Sequence, residues 1–238
     1  TGDSFSAICL FFGEQLRDEL GVPVGLVEST WGGTIVEAWS PPEALEYCAV
    51  TDTGIDDGQN HNEYLWNAMI HPLLKMSIKG AIWYQGEQNA GYPGDYAGHN
   101  RDLYTCTFPA MIEQWRRLWN EATGGDTDRK FPFGFVQLAP FTNQRENLAW
   151  PQLRWHQTAD LGYVPNDILQ NVFMATAVDD DIDLHPINKR LPANRLAWAA
   201  ANLVYGILDK PLYGPQPDSV SFKNADRSSV VVNFNAVL

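Results

Sequence analysis

Short apolar runs alternate with longer amphipathic stretches along this chain. Phe12, Leu16 and Leu20 recur at a spacing of four. Ser4 or Ser6 can cap the start of that stretch and Gly21 can end it, which predicts a helix over residues 5–20. Residues 22–27 read as a strand, 40–62 as loop-rich, and Ala81-Ile82-Trp83-Tyr84 as a short buried strand. A helix is expected to open at Pro109, with Ile112, Trp115 and Leu118/Trp119 on one face up to Gly124-Gly125. Further strands are predicted at 133–138 and 172–178, a short helix at 153–161 and a longer one at 192–208. Buried strands alternating with helices predict an α/β domain over residues 1–209, its parallel sheet covered on both faces. After Asp209 the pattern changes to Pro/Gly turns and two short strands, 220–223 and 229–234. Residues 210–238 therefore read as the beginning of a small β unit.

Composition narrows the function classes. The formal charge of −13 over 238 residues argues against nucleic acid or an anionic membrane as partner, since both select basic surfaces. The longest apolar stretch, 196–208, is interrupted by Asn202 and is too short to cross a bilayer. Three cysteines at wide spacing make neither a disulfide framework nor a zinc site. Cys9 falls in the first predicted helix and is expected in the core. Cys48 and Cys106 can pair in an oxidising compartment or stay reduced. With no initiator Met or leader, and an end inside an apparent strand, the chain reads as a piece of a longer protein.

Candidate chemistry lies directly behind the predicted strands, where open α/β sheets seat their ligands. Ser29-Thr30-Trp31-Gly32-Gly33-Thr34 is a glycine turn whose backbone N–H groups can face a developing oxyanion, although any tight turn uses Gly-Gly. Gln85-Gly86-Glu87-Gln88-Asn89 places amides and an acid against Trp83 and Tyr84, where buried polar groups need partners. The acid run 179–183 leads into His185-Pro186. His185 reads either as a general base outside the sheet or as a loop histidine bonded to a neighbouring Asp. The run is no helix–loop–helix calcium site, because Leu184 and Arg190 stand where Gly and Glu are required. His61, His71, His99 and His156 are weaker candidates. These parts fit an acyl-transfer site without metal or cofactor, but no nucleophile is evident among them.

Several segments together resemble the sialate O-acetylesterase family: Ser6-Ala7-Ile8-Cys9, Trp31-Gly32-Gly33-Thr34 with Glu37-Ala38-Trp39, Ile82-Trp83-Tyr84-Gln85-Gly86-Glu87, Cys106-Thr107-Phe108-Pro109, residues 154–160, and His185-Pro186. The resemblance implies an SGNH-type serine esterase on a flavodoxin-like sheet, acting on O-acetylated sialic acid or glycoconjugates, in the lysosome or secreted. It implies His185 as base and then acid, Glu87 or Asp183 as the group orienting it, and Gly32 and Gly33 as oxyanion donors. Gln85 or Asn89 would give side-chain help. Glu87 is favoured as orienter, since Ile182 stands where SGNH enzymes carry Asp. The family's nucleophile lies in a Gly-Gln-Ser motif that this chain lacks. Gly2-Asp3-Ser4 imitates another SGNH motif, yet only Thr1 precedes it, so Ser4 is read as a helix cap. The chain alone is then expected to be inactive. An acetyl xylan esterase-like deacetylase and a catalytically inactive carbohydrate-binding homologue are the alternatives.

Overall fold

The computed structural model describes residues 5–51, 58–91, 98–141, 148–180, 182–207, 209–210, 212, 214–215 and 217–234. Helix α1 (Ala7–Leu20) is capped by Ser6, whose hydroxyl accepts the Cys9 N–H at 3.4 Å. It ends at Gly21, which adopts φ 66° and donates its N–H to the Arg17 carbonyl. Ser4, with the readings attached to it, lies outside the described residues.

Strands β1 (Ala81–Trp83), β2 (Phe133–Gln137) and β3 (Val172–Thr176) form a parallel sheet in that order, with Ala81, Phe133 and Val172 in register. Successive side chains of a strand point to opposite faces, and both faces are covered. Phe133, Phe135 and Val172 pack against α4 (Tyr104–Ala122) and α5 (Ala149–His156), in a core that also holds Trp39, Trp66, Trp115 and Trp119. Val136, Phe173 and Ala175 pack against α1 and α6 (Arg190–Tyr205). Ala193, Ala197 and Ala200 on α6 let that helix approach β3 closely. Strands β4 (Pro217–Phe222) and β5 (Val230–Phe234) pair antiparallel as a separate exposed ribbon.

Three expectations need correction. Residues 22–27 form no ladder among the described residues, and Val22 and Val27 are exposed at 51% and 53%. A strand needs a hydrogen-bonding neighbour, and a cavity of about 1040 Å³ lies along both this segment and β1. Second, α4 opens at Tyr104 rather than Pro109. Burial of Tyr104, Thr107 and Phe108 and the Cys48–Cys106 disulfide fix its first turns, so packing outweighs the proline signal. Third, α5 opens at Ala149, with Pro151 tolerated in its first turn because its missing N–H has no partner there anyway. The disulfide ties α2 (Pro42–Tyr47) to α4, whereas Cys9 is free and half-buried. Among the described residues, no helix is long and apolar enough to cross a membrane.

Candidate active site

The cavity runs along the free edge of β1, from Met76–Gly80 at the strand's amino end to Gln85, Glu87 and His185 beyond its carboxyl end. Gly32 and Gly33 line the same space. The structure therefore brings together five of the seven residues singled out in the sequence. Asp183 and Asn89 do not line it, and neither do the other four histidines.

The glycine turn is held from below. Gly33 adopts φ 71°, a left-handed conformation that suits glycine, and its carbonyl accepts from Asn60 Nδ2 at 3.1 Å. The Thr34 carbonyl accepts from Gln85 Nε2 at 2.9 Å, and the Thr34 hydroxyl donates to the Trp31 carbonyl. Among the described residues, no acceptor meets the N–H of Gly32 or Gly33. Two exposed, unengaged amides on the cavity wall are what an oxyanion requires.

Gln85 and Asn89 are committed differently. Gln85 Nε2 donates to Thr34 and to Asn89 Oδ1 at 2.7 Å, and its Oε1 accepts from the Tyr104 hydroxyl at 3.1 Å. Asn89 Nδ2 donates to Glu37 Oε2 and the His99 carbonyl, both at 2.9 Å, while its Oδ1 also accepts the Val36 N–H. An amide NH₂ has two hydrogens, and both are used in each residue. In this arrangement Gln85 and Asn89 brace the glycine turn and have no N–H left for a ligand.

Gly86 adopts φ 144°, and a Cβ there would meet Leu153 at 2.6 Å, so only glycine turns β1 into α3 (Glu87–Ala90) at this point. That turn sets Glu87 at the cavity. As a residue Glu87 is only half-buried, yet its carboxyl is enclosed enough for desolvation to push its pKa up to about 6. Nearby backbone N–H groups and the charge of Lys189 oppose that shift. His185 is exposed on the loop before α6, followed by buried Pro186. Asp183 Oδ1 accepts the His185 backbone N–H at 3.1 Å, a local turn contact that engages the main chain rather than the imidazole. Asp179 is paired with Arg195 through two contacts of 2.6 and 2.7 Å. His156 is occupied by Asp160, at 2.6 Å from its Nδ1. Of the aromatic residues, Trp31 presents an open face, 53% exposed, whereas Trp39 is core and donates to Thr34 Oγ1.

Sequence reasoning quoted Glu37 only within a segment of the resemblance and gave it no role. It is fully buried on the 3₁₀ turn Val36–Trp39, and Oε1 has no hydrogen-bond partner among the described residues. Burial pushes its pKa up to about 7, opposed by the Asn89 amide, its own backbone and the Asn100 amide. An acid lying between Val36 and Ala38 was the available signal. The raised pKa has a definite sign: the unfolded chain loses this proton near 4.5, the folded one near 7. The associated stability is complete below pH 4.5 and is lost as pH rises through 7. Glu37→Gln should therefore flatten the pH dependence, with wild type losing about 3 kcal/mol relative to the variant between pH 5 and 8. Urea unfolding of both proteins at the two pH values measures this, and parallel pH curves would rule it out.

The parallel α/β sheet thus carries an amide–acid cluster directly beyond β1, with the glycine turn and a histidine lining the same cavity. The chain belongs to the family described as carbohydrate esterase, sialic acid-specific acetylesterase, whose model matches residues 6–166. The chain is similar to the sialate O-acetylesterase of Homo sapiens, 45% identical over 227 residues, covering 90% of this chain and 42% of that protein. It is 40% identical to the sialate O-acetylesterase of Mus musculus over 253 residues, covering 90% of this chain and 46% of that one. The chain thus spans less than half the length of these relatives. Among solved structures it is similar to a carbohydrate acetylesterase from Xanthomonas citri, with TM-score 0.75 and 35% identity, covering 97% of this chain and 47% of that one.

Proposed function

We propose that the longer protein containing this chain is a sialate O-acetylesterase, hydrolysing O-acetyl esters of sialic acids through a serine acyl-enzyme. The observation that carries this reading is the convergence of Gly32, Gly33, Glu87 and His185 on one cavity beyond β1, in a chain of this family. His185 takes the serine proton as the hydroxyl attacks the acetyl carbonyl, then returns it to the leaving sugar oxygen. The Gly32 and Gly33 N–H groups receive the oxyanion. Water, activated by the same histidine, releases acetate. Glu87 holds the imidazole.

The nucleophile is a serine at the end of a further strand seated beside β1. Several features support that placement. The outer edge of β1 has no partner among the described residues. Residues 24–27 and 81–83 line the same cavity. The Ser6 N–H donates to Glu28 Oε2 at 2.8 Å, so α1 begins beside the residues that lead into the glycine turn. A strand feeding α1 from there runs parallel to β1 and ends near His185, as a β-α-β crossover requires. The Cys48–Cys106 disulfide fits an oxidising compartment, supporting the secretory route, ending in the lysosome or outside the cell.

Acetate release from O-acetylated sialic acid and from acetylated xylan tests the proposal. The full-length protein should prefer the sialate, and the 238-residue chain should keep only a small residual rate. Turnover by the chain that Ser4→Ala abolishes would place the nucleophile in Gly2-Asp3-Ser4 instead. A preference for xylan would change the substrate class, and binding without hydrolysis would point to an inactive carbohydrate-binding homologue.

A further inference from the structure

We infer that Lys189 is the specificity-determining residue that receives the carboxylate of an anionic sugar at this esterase site; the inference rests on the sialate reading and names the group on the substrate that is recognised.

These 238 residues carry a formal charge of −13, a field that opposes an anionic ligand, so a local cation favours docking of an anionic sugar here. The cations near His185 are mostly committed. Arg190 pairs with Glu14 at 3.3 Å and lies on the Phe11 ring, and Arg195 is held by Asp179. Lys79 also lines the cavity, but it belongs to the far end, beside the Tyr205 ring. Lys189 lines the cavity with His185 and Glu87, four residues after the histidine, and no carboxylate among the described residues lies within 4 Å of its ammonium.

The side chain is positioned, and among the described residues it makes no ion pair. Lys189 Nζ stands 5.6 Å from the centre of the Tyr84 ring, a cation–π distance, and Tyr84 leads directly into Gln85-Gly86-Glu87. The residue is half-buried, and burial pulls its pKa down while Glu87, Asp180 and Asp183 pull it up. A partly desolvated ammonium gains more from an incoming carboxylate than an exposed one does. Neutral acetylated sugars offer it nothing, whereas the carboxylate of a sialic acid supplies the missing partner. Lys189 thereby separates sialate esters from acetylated xylan on the same catalytic machinery.

The test uses the full-length protein with sialic acids O-acetylated at C4 or C9, alongside the same sugars carrying a carboxamide in place of the carboxylate. Unaltered protein should favour the acid over the amide by about tenfold or more in kcat/KM, mostly through KM. Lys189→Met should collapse that preference, and Lys189→Arg should restore much of it. An equal loss on acid and amide in Lys189→Met overturns the inference and makes Lys189 a counter-charge to Glu87. So does unaltered protein that shows no preference, a result needing no variant to fold. Failure to hydrolyse any O-acetylated sialic acid, with neutral esters still cleaved, sinks the substrate reading and this inference with it.

Discussion

His185→Ala in the full-length protein is expected to lower kcat for acetyl-ester hydrolysis by about 10³-fold or more while the unfolding midpoint stays close to that of wild type. The two halves of that expectation have separate causes. His185 is exposed on a loop and its imidazole contributes little to either core cluster, so truncation removes little packing. His185 also lines the cavity that the unengaged amides of Gly32 and Gly33 line. A base that acts as one unit with its nucleophile costs nearly the whole catalytic advantage when it is lost. Near-normal kcat would remove His185 from the mechanism. His156, held by Asp160 off the cavity, would then be the next histidine to examine.

Glu87→Gln is the second large effect, on the order of 10⁴-fold in kcat if the carboxylate fixes the imidazole tautomer, by analogy with the amide swap at a serine protease's Asp. Asp183→Asn should cost far less. Asp183 Oδ1 already accepts a backbone N–H, a bond that an asparagine oxygen can also accept, and the carboxylate is exposed. Glu87 is enclosed at the cavity with a pKa raised to about 6, so its carboxylate is ionised at neutral pH. Circular dichroism and thermal melts of both variants must accompany the kinetics, because losing an enclosed carboxylate can also disturb α3. A severe Asp183→Asn with a mild Glu87→Gln would exchange the two roles. Mild effects at both would leave a Ser–His dyad.

The sequence made the periodic parts legible. The spacing of Phe12, Leu16 and Leu20 with its Ser and Gly caps located α1, and apolar runs ending in polar clusters located β1, β2 and β3. Residues 22–27 misled because an apolar run states a tendency to extend and says nothing of whether a neighbouring strand is present. Pro109 misled because packing of Phe108 and the disulfide at Cys106 set the start of α4. That Gly32, Gly33, Glu87 and His185 line one cavity was foreshadowed by their positions after apolar runs. The roles of Gln85 and Asn89 were not, since whether an amide faces a ligand depends on how many of its hydrogens the fold has used. Glu37 and Lys189 escaped for the same reason: burial of one, and the lack of an ion pair among the described residues for the other, are facts of three-dimensional neighbours.

Covalent labelling of the full-length protein by a fluorophosphonate, followed by intact mass and peptide mapping, tests the serine acyl-enzyme most directly. The expected result is one adduct on a serine upstream of Thr1, formed in step with loss of acetylesterase activity and slowed by orders of magnitude in His185→Ala. An adduct that forms equally fast without His185, or full turnover with no serine labelled, would contradict it.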